Sequence, residues 1–94
     1  MVISKENQEF LEGLIDYYVK EAKSYREIAQ EFSLEINSVV DTAFGIIIGC
    51  IYSSFLQAYS NQKQVPDMED VQEFNEIIIK NTEIIKKSIM NENV

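Results

Sequence analysis

Along the first third of the chain, apolar residues recur at Leu11, Ile15, Tyr18, Ala22, Tyr25, Ala29 and Phe32. The steps alternate between four and three, the spacing of a helix that buries one continuous seam. Phe10, Leu14 and Ile28 widen the seam, while Glu9, Asp16, Lys20, Lys23 and Glu27 hold the opposite face. Ser4 stands where an N-cap is needed, with Glu6 and Glu9 near the positive end of the helix dipole. The pattern predicts a helix over 5–32.

The middle of the chain changes character. No charged residue falls between Thr42 and Gln62, and inside that gap runs Ala43-Phe44-Gly45-Ile46-Ile47-Ile48-Gly49-Cys50-Ile51-Tyr52. Ser33 reads as a break or a new N-cap, so a second helix is expected over 34–60. After the linker Asn61–Val65 and Pro66, a third apolar stripe follows at Val71, Phe74, Ile77, Ile78, Ile84, Ile85 and Ile89. Asp67 caps it, Glu69 and Asp70 sit in its first turn, and Lys86 and Lys87 lie near its negative end. A helix over 67–91 is expected. Strand-like alternation is absent. The expected fold is all-α, one domain over 1–94, a small antiparallel bundle of three long helices. A chain this short hides a limited share of its surface, so dimerisation is expected to complete it.

Charge sharpens this picture. The 94 residues carry a net charge of −8, from sixteen acids and eight bases. Residues 1–36 contribute −4, residues 37–65 contribute zero and residues 66–94 contribute −4. A neutral helix flanked by two acidic ones is expected to be shielded by them. The acid excess argues against nucleic acid as a partner, because phosphate binding depends on Lys and Arg. It argues equally against anionic membrane surfaces. The single cysteine, Cys50, has no partner for an internal disulfide, and Met1–Asn7 lacks a basic-then-apolar leader. A cytoplasmic location is the expectation.

Gly45-x-x-x-Gly49, extended by Ser53, resembles the close-approach motif of membrane helix pairs. Gln57, Ser53, Ser54 and the glycines dilute the apolar run, and basic flanks are missing, so a buried soluble helix is preferred to a span. The stripe then serves either a neighbouring helix of the same chain or a seam between two copies.

Two fragments resemble known families. Tyr25 to Val39 resembles a helix-turn-helix, with Ala29, Ser33, Leu34 and Val39 at the family's small and anchoring positions. That resemblance implies a transcriptional regulator over 25–43. However, the recognition helix, Glu35 through Asp41 to Ala43, has no Lys or Arg and carries acids. Asn37-Ser38-Val39-Val40-Asp41 resembles the carrier-protein attachment site, where a serine opening a helix holds phosphopantetheine. Asn and Val replace that family's Asp and Leu.

Catalytic chemistry has few footholds. There is no histidine, and Arg26 is the only arginine. Carboxylate-bound magnesium is the remaining option. Glu9, Glu12 and Asp16 share one helix face, as do Glu69, Glu73 and Glu76. Glu9-x-x-Glu12 resembles one motif of the helical nucleotide pyrophosphohydrolases, whose second motif is missing here. Cys50 reads as a small core residue. Asn81 lies on the seam between Ile78 and Ile85, where a polar group fixes register or turns to water.

These observations point to a small acidic protein–protein interaction module without cofactors, a regulatory, adaptor or inhibitor subunit acting as a homodimer. Gly45, Gly49 and Ser53 are the expected interface. Asp67, Glu69, Asp70, Glu73 and Glu76 are expected to face a basic protein partner, because no base on that helix stretch offsets them. The alternatives are a carboxylate–magnesium hydrolase and a helix-turn-helix regulator.

Overall fold

The computed structural model describes residues 2–90. Four helices carry the chain: α1 Lys5–Lys20, α2 Ala22–Gln30, α3 Val39–Asn61 and α4 Met68–Met90. No strand occurs among the described residues. The expected end of the last helix at 91 lies outside them.

The first expected helix is divided. Ser4 caps α1 as anticipated, its hydroxyl accepting the Asn7 N–H at 3.1 Å. The α-helical pattern then lapses at Glu21, and α2 resumes at Ala22. Neither proline nor glycine causes this. Ala22 and Ala29 are buried and small, and α2 makes the most extensive contact with α3. Leu11 and Ile15, also buried, hold α1 with bulkier side chains. Glu21, at φ −99° and ψ 11°, leaves the helical conformation between the two segments.

The start of α3 also differs from expectation. Residues 31–35 form turns and Leu34 is 96% exposed, so no helix begins at Ser33. The cap is Ser38, whose hydroxyl accepts the Asp41 N–H at 3.0 Å. Asp41 adds a negative charge in the first turn. At its other end α3 stops in a Schellman turn. Lys63 N–H donates to the Ser60 carbonyl and Gln64 N–H to the Tyr59 carbonyl, with Lys63 at φ 58°. Glycine usually fills that left-handed position.

The core lies where the four helices meet. Leu11, Ile15, Ala22 and Ala29 meet Ala43, Ile47, Ile51, Phe55 and Tyr59 of α3, and Phe74, Ile78, Ile85 and Ile89 of α4. Phe74 stacks with Phe55 at 4.7 Å and Tyr52 at 5.2 Å between ring centroids. The seam of the first segment thus continues across the break at Glu21, but Phe32 and Ile28 are exposed. Among the residues assigned to the last stripe, Ile84 is exposed.

Polar clamps hold both ends. At the foot, Asn7 is only 3% exposed, and its side-chain amide exchanges two hydrogen bonds with Gln62, at 3.3 and 2.7 Å. Nearby, burial and then the charge of Asp70 push the Tyr59 phenol up from its ordinary value. At the top, an Arg26 N–H donates to the Ile89 carbonyl at 3.1 Å. Lys86 meets Asp41 at 3.0 Å and lies over the Phe44 ring.

Candidate functional site

Helix α3, uncharged beyond Asp41 in its first turn, is buried on one side only. Ala43, Ile47, Ile51, Phe55 and Tyr59 form its inward stripe at four-residue spacing. Gly45, Gly49 and Ser53 repeat that spacing on the outward side and are exposed. A Cβ placed on Gly45 or Gly49 meets no atom within 4 Å. The stripe therefore packs against no other helix of its own chain, and α3 is not shielded all round.

Half-buried apolar residues border the stripe. Ile46, Tyr52 and Leu56 flank it on α3 itself. A further border comes from α4. Lys86 reaches Asp41 and Phe44, while Phe74 meets Tyr52 and Phe55, so the two helices run antiparallel. Ile79 lies one heptad before Lys86, on the same flank of α4 and at the level of Gly49. It is 70% exposed. Sequence reading missed Ile79, because three consecutive isoleucines concealed which of them turns outward.

The other flank is a groove of about 490 Å³ between α1 and α3. Phe10, Ser54, Gln57 and Asn61 line it, and a Gln57 amide N–H donates to Asn61 at 2.9 Å. By length and composition, with mean hydropathy 1.8, α3 is the one described helix able to cross a membrane. In this fold its inner side packs on α1, α2 and α4, whose charged outer faces would have to enter hydrocarbon with it, while its outward side stays open.

The acidic patch has mostly internal employment. Asp67 and Asp70 form a reciprocal cap: the Asp67 carboxylate accepts the Asp70 N–H at 2.9 Å, and the Asp70 carboxylate accepts the Asp67 N–H at 3.2 Å. Glu73 accepts the backbone N–H groups of Val2 and Ile3 at 2.9 and 3.0 Å. Of the five acids, Glu69 and Glu76 are exposed and have no hydrogen bond or ion pair among the described residues. The expectation that nothing inside the chain offsets this face is corrected: Glu73 faces two long-range donors.

The remaining candidates are placed as follows. Glu9, Glu12 and Asp16 are exposed, and Glu12 and Asp16 line a groove with Gln8, Ile77, Lys80 and Asn81. Among the described residues, no three of His, Cys, Asp or Glu are grouped to hold a metal ion. Asn81 is half-buried and its amide donates to the Ile77 carbonyl at 2.8 Å, within its own helix. Cys50 is half-buried beside Tyr18. Burial, with Cys50 and Tyr25 close by, pushes the Tyr18 phenol up to about 12. The segment resembling a helix-turn-helix has residues 31–38 between its helices, and its anchoring Leu34 projects into solvent. Ser38 opens α3, but its hydroxyl is engaged by the Asp41 N–H.

Set beside known protein families, curated proteins and solved structures, the chain matches none of them.

Proposed function

We propose that this chain is a non-catalytic protein–protein interaction module, a regulatory, adaptor or inhibitor subunit, that pairs with a second copy through the outward face of α3. One observation carries the reading: Gly45, Gly49 and Ser53 are exposed on the outward side of α3, with nothing among the described residues within 4 Å of a Cβ on either glycine, along a stretch uncharged from Thr42 to Gln62 in a chain of net charge −8. Two such chains repel each other wherever acids meet, and least along this face. Small residues there let two α3 helices cross closely, and a two-fold axis makes one patch serve both copies.

Size sets a requirement. A 23-residue helix is about 34 Å long, so its outward face offers roughly 400 Å² per copy. Specific interfaces bury about 1,000 Å² or more in total. The flanks must therefore contribute, and Tyr52, Leu56 and Ile79 are the residues placed to do so. The dimer would present Glu69, Glu76 and the exposed acids of α1 to a basic protein partner, with charge raising the encounter rate.

Sedimentation equilibrium at tens of micromolar tests the reading. A dimer is expected; Ile79→Glu should weaken association, and Gly49→Leu should weaken it roughly 5- to 160-fold. Overpacking at a crossing costs about 1–3 kcal/mol, which corresponds to that range. Monomers at this concentration would overturn the proposal. For the partner surface, Glu69→Gln with Glu76→Gln should leave stability unchanged and weaken capture of a basic partner more at low salt than at high salt.

A further inference from the structure

Glu73 occupies a position unlike that of its neighbours. Glu69, Glu73 and Glu76 share one face of α4, yet only Glu73 is half-buried and engaged. Its two carboxylate oxygens accept two consecutive backbone N–H groups, Val2 to one and Ile3 to the other. These bonds to a charged acceptor are the strong kind. Ile3 is 2% exposed, whereas Val2 beside it is about half exposed. The next residue, Ser4, is extended and caps α1, so the helix begins only after the contact with α4 ends. Val2 and Ile3 are thus tied down by one buried side chain and one carboxylate, and belong to no helix themselves.

We propose that residues 2 and 3 are a detachable strap that withholds Glu73 from the acidic face of α4. With the strap down, the face offers Glu69 and Glu76 separated by an occupied carboxylate. With the strap lifted, three carboxylates line one face beside the apolar slot vacated by Ile3. Because α1 is capped by Ser4 and clamped by Asn7 to Gln62, lifting pivots at Ser4 and leaves the bundle intact. A partner that needs Glu73 must displace the strap, which makes the contact autoinhibitory. That last role rests on the acidic face being a partner surface; the strap itself does not.

Native-state hydrogen exchange on the full chain, followed across low urea concentrations, tests the strap directly. The Val2 and Ile3 amides should exchange at least ten-fold slower than in an unstructured peptide. Their exchange should respond little to urea, while Ile47, Phe55 and Ile85 open only with global unfolding. Glu73→Gln should bring the two strap amides close to peptide rates and leave those three core amides unchanged. Unprotected strap amides in the wild type would overturn the proposal, as would strap amides that open only with the core. Strap protection that survives Glu73→Gln would also overturn it. Should the variant loosen the core as well, the urea dependence of the wild type decides alone.

Discussion

The two faces of α3 carry the same four-residue repeat and opposite contents. Inward, Ala43, Ile47, Ile51, Phe55 and Tyr59 are all buried; outward, Gly45, Gly49 and Ser53 are all exposed. Absence of charge is therefore not the same as burial. On the inner face uncharged residues are chosen for volume, and on the outer face for smallness. An ordinary surface helix would carry charges where the glycines stand, since glycine in a helix interior costs roughly 0.5–1 kcal/mol relative to alanine. This helix keeps two glycines on an open face, at a local cost that nothing inside the chain offsets.

The largest test of the contrast is Phe55→Ala. Phe55 is fully buried between Tyr59 and Phe74. The truncation should cost about 3–5 kcal/mol, enough to unfold much of the population of a small domain. Urea unfolding followed by circular dichroism gives the value, and a loss below about 1 kcal/mol would mean that the inner face is not the core.

Alkaline pH probes the border between the faces. Tyr18 abuts Cys50, and its phenol is held neutral up to about 12 against an ordinary value of 10.0. The folded state binds the proton more tightly, so this stabilisation is complete below pH 10 and lost as pH rises from 10 towards 12. The loss is about 3 kcal/mol at most. Tyr18→Phe should flatten that part of the pH–stability curve. An unchanged alkaline slope would remove Tyr18 from its buried setting.

Gly45→Ala works in the opposite direction. Its new methyl meets nothing within 4 Å, so the folded chain should gain about 0.5–1 kcal/mol. The same substitution in a buried small-residue seam would clash and destabilise. Thermal melts at dilutions where copies separate distinguish the two. The smallest effect is expected at Lys63, where φ is 58°. Lys63→Gly should relieve left-handed strain for a net gain of about 0.5 kcal/mol, because added chain entropy in the unfolded state offsets part of it.

What was legible in the sequence follows from the range of the interactions involved. The seam residues Leu11, Ile15, Ala22 and Ala29 are spaced by local helix geometry, and so was their burial. The capping aspartate at 67 and the serine at 4 act within one turn and were equally readable. The start of α3 was misplaced because Ser33 and Ser38 are both candidate caps. Only Ser38 has an acid at the third following position and the apolar run directly behind it. The division at Glu21 has no local signal, since neither proline nor glycine stands near it. The direction of the glycine stripe depends on where three other helices lie around α3. Glu73 escaped notice for the same reason: its donors are about seventy positions away. Asn7, by contrast, precedes Leu11 by four positions on the same seam, and its burial was available to a closer reading.

The polar clamps have a consequence for how the chain acquires its structure. Asn7 holds Gln62, Glu73 holds Val2 and Ile3, and Arg26 holds the carbonyl of Ile89. Each joins the first third of the sequence to a site 55 or more residues later. Local helices form within microseconds, but these closures wait for distant segments to meet. During synthesis α1, α2 and α3 emerge before their last companion. Until α4 is made, Arg26 lacks the Ile89 carbonyl and the apolar inner face of α3 lacks Phe74, Ile78, Ile85 and Ile89. The nascent chain therefore passes the synthesis of α4 with the inner face of its most apolar helix only partly covered, and the completion of α4 is what ends that exposure.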